Sequence, residues 1–148
     1  LCAYTGTHDN NTLLGWLWEA SEEERVRALD YIAYPPTLDW SPGGVESPAC
    51  RAFIKHLWST PAKFVCAPIQ DFLGFGSDTR MNIPGEASGQ WRFRLTDEAM
   101  HKLDLTWIRH NNKLYERFNR VVLLREEEQL TRILEAEVVP NLLKDSPV

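Results

Sequence analysis

The order of elements along this sequence predicts an α/β fold. Two short apolar runs, Leu1 to Tyr4 and Lys63 to Ile69, read as strands. Each is followed by a polar loop and then by helical pattern. Strand, polar loop, helices, strand, long polar loop, helix makes two consecutive βα units, which suits a parallel sheet or a (β/α)₈ barrel. A whole barrel takes about 250 residues, so two units cannot close one.

The elements follow from local chemistry. Leu1-Cys2-Ala3-Tyr4 is apolar and runs straight into Thr5-Gly6-Thr7, so the chain opens as though cut through a buried strand. Thr5 to Thr12 is a polar loop, and a short helix is expected over Leu13 to Glu19. Ser21 and Glu24 have the capping-box spacing, and Glu22, Glu23 and Glu24 suit the positive end of a helix. Val26, Leu29, Ile32 and Ala33 would form the apolar stripe of that helix, which Pro35-Pro36 ends. Ser41-Pro42-Gly43-Gly44 is loop.

Ser47-Pro48 starts the next helix, with Ser as cap and Pro at the first helical position. It is expected to run to about Ser59 and to bury Ala49, Phe53, Leu57 and Trp58. Lys63 to Ile69 is apolar nearly throughout, as a strand covered on both faces would be. Gln70 to Gln90 is polar and rich in Gly, and loops of that length are usually functional or disordered. Thr96 caps a helix predicted from Asp97 to about Val122, and a further helix is expected over the tail from Arg125. The division that results is 1–122 for the βα part and 123–148 for a helical tail.

Composition narrows the function. Hydrophobic residues make up 43% and charged residues 25% of the 148 residues, enough for a packed core. The net charge of −5 argues against a nucleic-acid partner, which calls for a clustered positive surface. No apolar run approaches the roughly 20 residues of a membrane span. The three cysteines, Cys2, Cys50 and Cys66, form no CxxC pair, which fits buried free thiols in a reducing compartment. His8, His56, His101 and His110 lie too far apart to suggest zinc, so no metal site is expected.

The chemistry concentrates in the two loops. The first, Tyr4-Thr5-Gly6-Thr7-His8-Asp9-Asn10-Asn11-Thr12, gathers a carboxylate, an imidazole and two carboxamides just past a strand, groups that grip sugar hydroxyls. His8 and Asp9, being adjacent, are expected to point apart, and Asp9 could equally cap the following helix. In the second loop Asp71 lies just past the strand, where it could be functional or serve as a cap or internal salt bridge. Gly74 and Gly76 look like phosphate-cradle glycines, but no GxGxxG or GKS follows.

YTGTHDN with a following Thr12 and Gly15-Trp16, then PIQDFLGFGSDTRMNIPGEASGQWRFRL, strongly resembles the two C-terminal motifs of the amylomaltases, the 4-α-glucanotransferases of glycoside hydrolase family 77. The similarity is dense over residues 3–16 and 66–95. It implies the C-terminal βα units of a (β/α)₈ barrel in a retaining enzyme that passes α-1,4-glucan segments between maltodextrins. Asp9 matches the family's third catalytic aspartate, which supports substrate distortion, and His8 matches the neighbouring histidine on the same glucose. Asn82 falls where the family lines its substrate groove.

The nucleophilic aspartate and the acid/base glutamate of the family lie upstream of the matched segment, and neither motif has a counterpart here. Asn11 replaces a usual aspartate, Phe72 and Phe75 replace leucines, Glu86 a threonine and Gln90 an asparagine. The resemblance implies α-1,4-glucan partners (maltose, maltodextrins, starch) and no cofactor, because glycosyl transfer by carboxylates uses neither metal nor nucleotide. It also implies a cytoplasmic location, or the plastid stroma in a plant or alga. Two other readings are a non-catalytic glucan-binding or regulatory module and a structural α/β domain. The six tryptophans form no single stripe for sugars and are better placed in the core or on helix faces.

Overall fold

The computed structural model describes residues 1–117 together with Glu128 and Gln129. The chain divides into two compact units, Leu1–Asn111 and Asn112–Val148. The expected boundary at residue 122 lies outside the described residues, as does the expected tail helix apart from Glu128 and Gln129, which are helical.

In the first unit strand β1 (Cys2–Tyr4) pairs with strand β2 (Phe64–Cys66) in parallel, with Cys2 opposite Phe64 and Tyr4 opposite Cys66. Parallel neighbours need a long crossover. Here it contains α1 (Leu13–Glu19), α2 (Glu22–Tyr31) and α3 (Pro48–Ser59). The predicted α/β order is therefore present, and both polar loops leave the same end of the sheet, at the C-termini of the strands. Beyond β2 lie a short helix α4 (Ile69–Phe72), a 3₁₀ turn (Ser77–Thr79), then α5 (Asp97–His101) and α6 (Leu105–Leu114).

The helix starts are set by their caps. Thr12 accepts from the Gly15 amide, Ser21 and Glu24 form the reciprocal capping box, and Ser47 caps α3 with Pro48 behind it. The core packs α1 against α3. Leu13 and Leu14 meet Cys50 and Phe53, while Leu17 meets Tyr34, Ala49, Leu29 and Trp40.

Several expectations change. Val26 is exposed and α2 has no buried residue. Helix α2 stops at Tyr31, before the prolines, because Ala33 turns to φ 54 and the Tyr34 amide reaches back to the Leu29 carbonyl at 2.9 Å. In α3 the buried residues are Ala49, Cys50, Ile54 and Trp58, whereas Phe53 and Leu57 are half-buried. The second strand is three residues long, with Phe64 and Cys66 exposed, and Ile69 has already turned into α4. Of the three free thiols only Cys50 is buried, and burial pushes it up to about 11.

The helix predicted from Asp97 breaks at Asp104, whose carboxylate accepts from the Trp107 amide at 2.9 Å and starts α6 afresh. The same carboxylate pairs with Arg51 of α3 at 2.7 Å. Arg51 in turn lies 5.0 Å from the Trp107 ring, which stacks on Trp58 at 5.6 Å. Gly74 and Gly76 both allow close packing: a Cβ on Gly76 would stand 2.5 Å from the Trp18 ring. Gly74 takes φ +58, and a Cβ there would stand 2.2 Å from the Gly44 carbonyl oxygen.

Candidate active site

The first loop is shaped from within. Asn10 Oδ1 accepts from the Thr7 amide at 2.8 Å and from its hydroxyl at 2.9 Å, closing a tight turn around His8 and Asp9. That turn overrides the divergence of adjacent side chains, so His8 Nε2 stands 3.2 Å from Asp9 Oδ1. The expectation that the two point apart is corrected. Thr12, not Asp9, caps α1.

The second loop meets this turn from across the sheet edge. Asn82 Nδ2 donates to Asp9 Oδ1 at 2.7 Å. Arg80 donates through Nη2 to the Asp9 carbonyl at 2.7 Å and through Nε to the Asn82 carbonyl at 2.9 Å. The Trp91 ring lies 5.0 Å from the His8 ring. Trp91 sits at φ 60, a left-handed conformation that costs a non-glycine residue roughly 1 kcal/mol or more. Its amide donates to the Met81 carbonyl at 2.7 Å, which closes the segment between them.

The three residues expected at the site, His8, Asp9 and Asn82, therefore converge. Sequence reasoning did not name Arg80 or Trp91. Asp9 and His8 are about half-exposed, and among the described residues Asp9 Oδ2 takes no hydrogen bond. One carboxylate oxygen is thus held from the protein side and the other is open to a ligand. A cavity of about 170 Å³ opens between the loops beside His8, Arg80 and Met81. The two loops form the wall of this shallow cavity.

Behind that wall the loops are tied twice more. Asp71 accepts from the Thr5 hydroxyl at 2.5 Å and from the Leu13 amide at 2.8 Å, so it acts as a cap reached through space. Burial pushes its carboxyl above the usual range, against the pull of those two hydrogen bonds. Asn11 Nδ2 donates to Glu19 at 2.9 Å and to Ser77 Oγ at 3.0 Å, and Ser77 donates to Glu19. Gly15 admits this contact, because a Cβ there would stand 2.5 Å from Ser77 Oγ. Among the described residues no three metal-ligating side chains converge, and no helix is long and apolar enough to cross a membrane.

Parallel strands with polar side chains gathered beyond their C-terminal ends are the arrangement on which α/β enzymes build their sites. The sequence profile described as 4-alpha-glucanotransferase, glycoside hydrolase family 77, matches residues 1–101. The chain is 39% identical over 100 residues to a 4-alpha-glucanotransferase of Synechocystis, an overlap covering 66% of this chain and 18% of that protein. It is 40% identical over 93 residues to the Thermus thermophilus 4-alpha-glucanotransferase, covering 62% and 18%. Among solved structures, the amylomaltase of Streptococcus agalactiae in complex with acarbose superposes with a TM-score of 0.68 at 25% identity. That match covers 80% of this chain and 22% of the other. The chain belongs to the 4-alpha-glucanotransferase family, glycoside hydrolase family 77. It spans about a fifth of the length of the relatives it matches.

Proposed function

We propose that this chain supplies the C-terminal βα units of the (β/α)₈ barrel of a retaining 4-α-glucanotransferase, which transfers α-1,4-glucan segments between maltodextrins. The observation that carries the proposal is the Asp9 carboxylate, held on one oxygen by Asn82 and His8 at the strand end and open on the other. In this reading Oδ2 accepts hydrogen bonds from hydroxyls of the reacting glucose. Such bonds tighten as the ring flattens toward the oxocarbenium-like transition state and can supply several kcal/mol. His8 contacts the same glucose, and Asn82 lines the groove while orienting Asp9.

Covalent chemistry in a retaining enzyme uses two carboxyls about 5 Å apart. Asp71 is not available for that work, because both its oxygens are engaged inside the protein. The nucleophile and the acid/base come, in this proposal, from upstream strands of the barrel. The partners are α-1,4-glucans and the location is cytoplasmic, or plastidic in a plant or alga. The test is Asp9→Asn in the whole enzyme. Turnover on maltotriose should fall by several orders of magnitude while the thermal midpoint barely moves. Near-normal turnover would overturn the role given to Asp9.

A further inference from the structure

We propose that Asp71 is a positioning residue whose carboxylate clamps both ends of the Thr5–Thr12 loop and so sets where Asp9 stands against the sugar. The inference rests on the transferase reading above. Asp71 is only 1% exposed, and among the described residues it has no cationic partner. A buried carboxylate without a cation is costly unless hydrogen bonds satisfy it.

Its two oxygens go to different places. Oδ2 takes the Thr5 hydroxyl, where the loop leaves β1, and Oδ1 takes the Leu13 amide, where the loop enters α1. A helix cap accounts for the second bond alone, since the role of the first is to fix the strand end. The neighbouring residue does the same for the other loop. Gln70 Nε2 donates to the Thr79 carbonyl at 3.2 Å, one residue before Arg80, which grips the Asp9 and Asn82 carbonyls. The short helix α4 therefore holds both loops in register, with Asp9 at their meeting point. Misplacing a reacting group by about 1 Å can cost on the order of 100-fold in rate.

A double-mutant cycle in the whole enzyme tests this. Asp71→Ala should lower kcat by about 10- to 100-fold and leave KM within about threefold, because remote glucan contacts are untouched. In an Asp9→Asn background, measured on residual transfer at high enzyme concentration, the same change should cost less than about threefold. Thr5→Val removes one arm of the clamp and should lose about tenfold in kcat, with Thr5→Ser recovering most of it. If Asp71→Ala fails to fold, the cycle is run with Thr5→Val in its place. Equal losses in both backgrounds, or an unchanged kcat, would overturn the positioning role alone. Near-normal turnover of Asp9→Asn by itself would remove the reading beneath it.

Discussion

Asn82 gives the site one hydrogen bond, whereas Asp9 gives the carboxylate itself. Asn82→Ala should therefore weaken maltodextrin turnover by an amount worth roughly 1–3 kcal/mol, far less than Asp9→Asn. Kinetics on the two purified variants check the ranking, and equal losses would refute it. Asp71 yields a second expectation. Its folded carboxyl keeps its proton to higher pH than in the unfolded chain, so between the two values the folded state binds more protons. Stability from this group is full below the ordinary carboxylate range and is lost as pH rises through the raised value. In the whole enzyme Asp71→Asn should remove that contribution from a pH series of urea midpoints, and an unchanged slope would refute the assignment. His8 and Asp9 were legible because they share one short loop. Arg80 and Trp91 were not, since Arg80 reaches Asp9 across 71 residues and Trp91 meets His8 by a ring contact that no local pattern encodes.

Caps were the most legible feature at the level of elements. Ser21, Ser47 and Thr96 each act on an amide three residues ahead, which a sequence displays directly. Asp104 offered the same signal ahead of Trp107, yet the apolar spacing on either side concealed the break. The burial of β2 could not be read, because exposure depends on what else lies against the strand. Gly74 gives the prediction at this scale. Gly74→Ala meets both a positive φ and the Gly44 carbonyl, and should cost about 3 kcal/mol. Gly85→Ala also has a positive φ, +88, but nothing within 4 Å, so it should cost about 1 kcal/mol. Urea titration of both variants in the whole enzyme separates the terms. Equal losses would mean that the Gly44 approach carries no weight.

Over the whole chain, the described sheet consists of β1 and β2 alone, so each strand has one partner and one open edge. Leu1, Tyr4 and Phe64 are exposed on and beside it. Open edges and bare apolar side chains favour association over a unique fold. As an isolated chain, residues 1–148 are therefore expected to show no cooperative melt and to release no glucose from maltotriose. A cooperative melt with measurable transfer would refute both halves of that expectation. The fold class was visible because two strand-and-loop units suffice to declare a parallel α/β order. Whether further strands flank the pair is not a local property, and two units could not reveal it.

The direct parallel pairing of β1 with β2 also sets an order of events in folding. Among the described residues, every hydrogen bond from the first loop to the second joins residues 66 to 73 positions apart. Helices α1, α2 and α3 are built from contacts a few residues apart and can form on the microsecond scale. The Asp9–Asn82 contact must wait until the crossover has closed and its loop entropy has been overcome. The geometry around Asp9 is thus expected late in folding, after most of the secondary structure is in place.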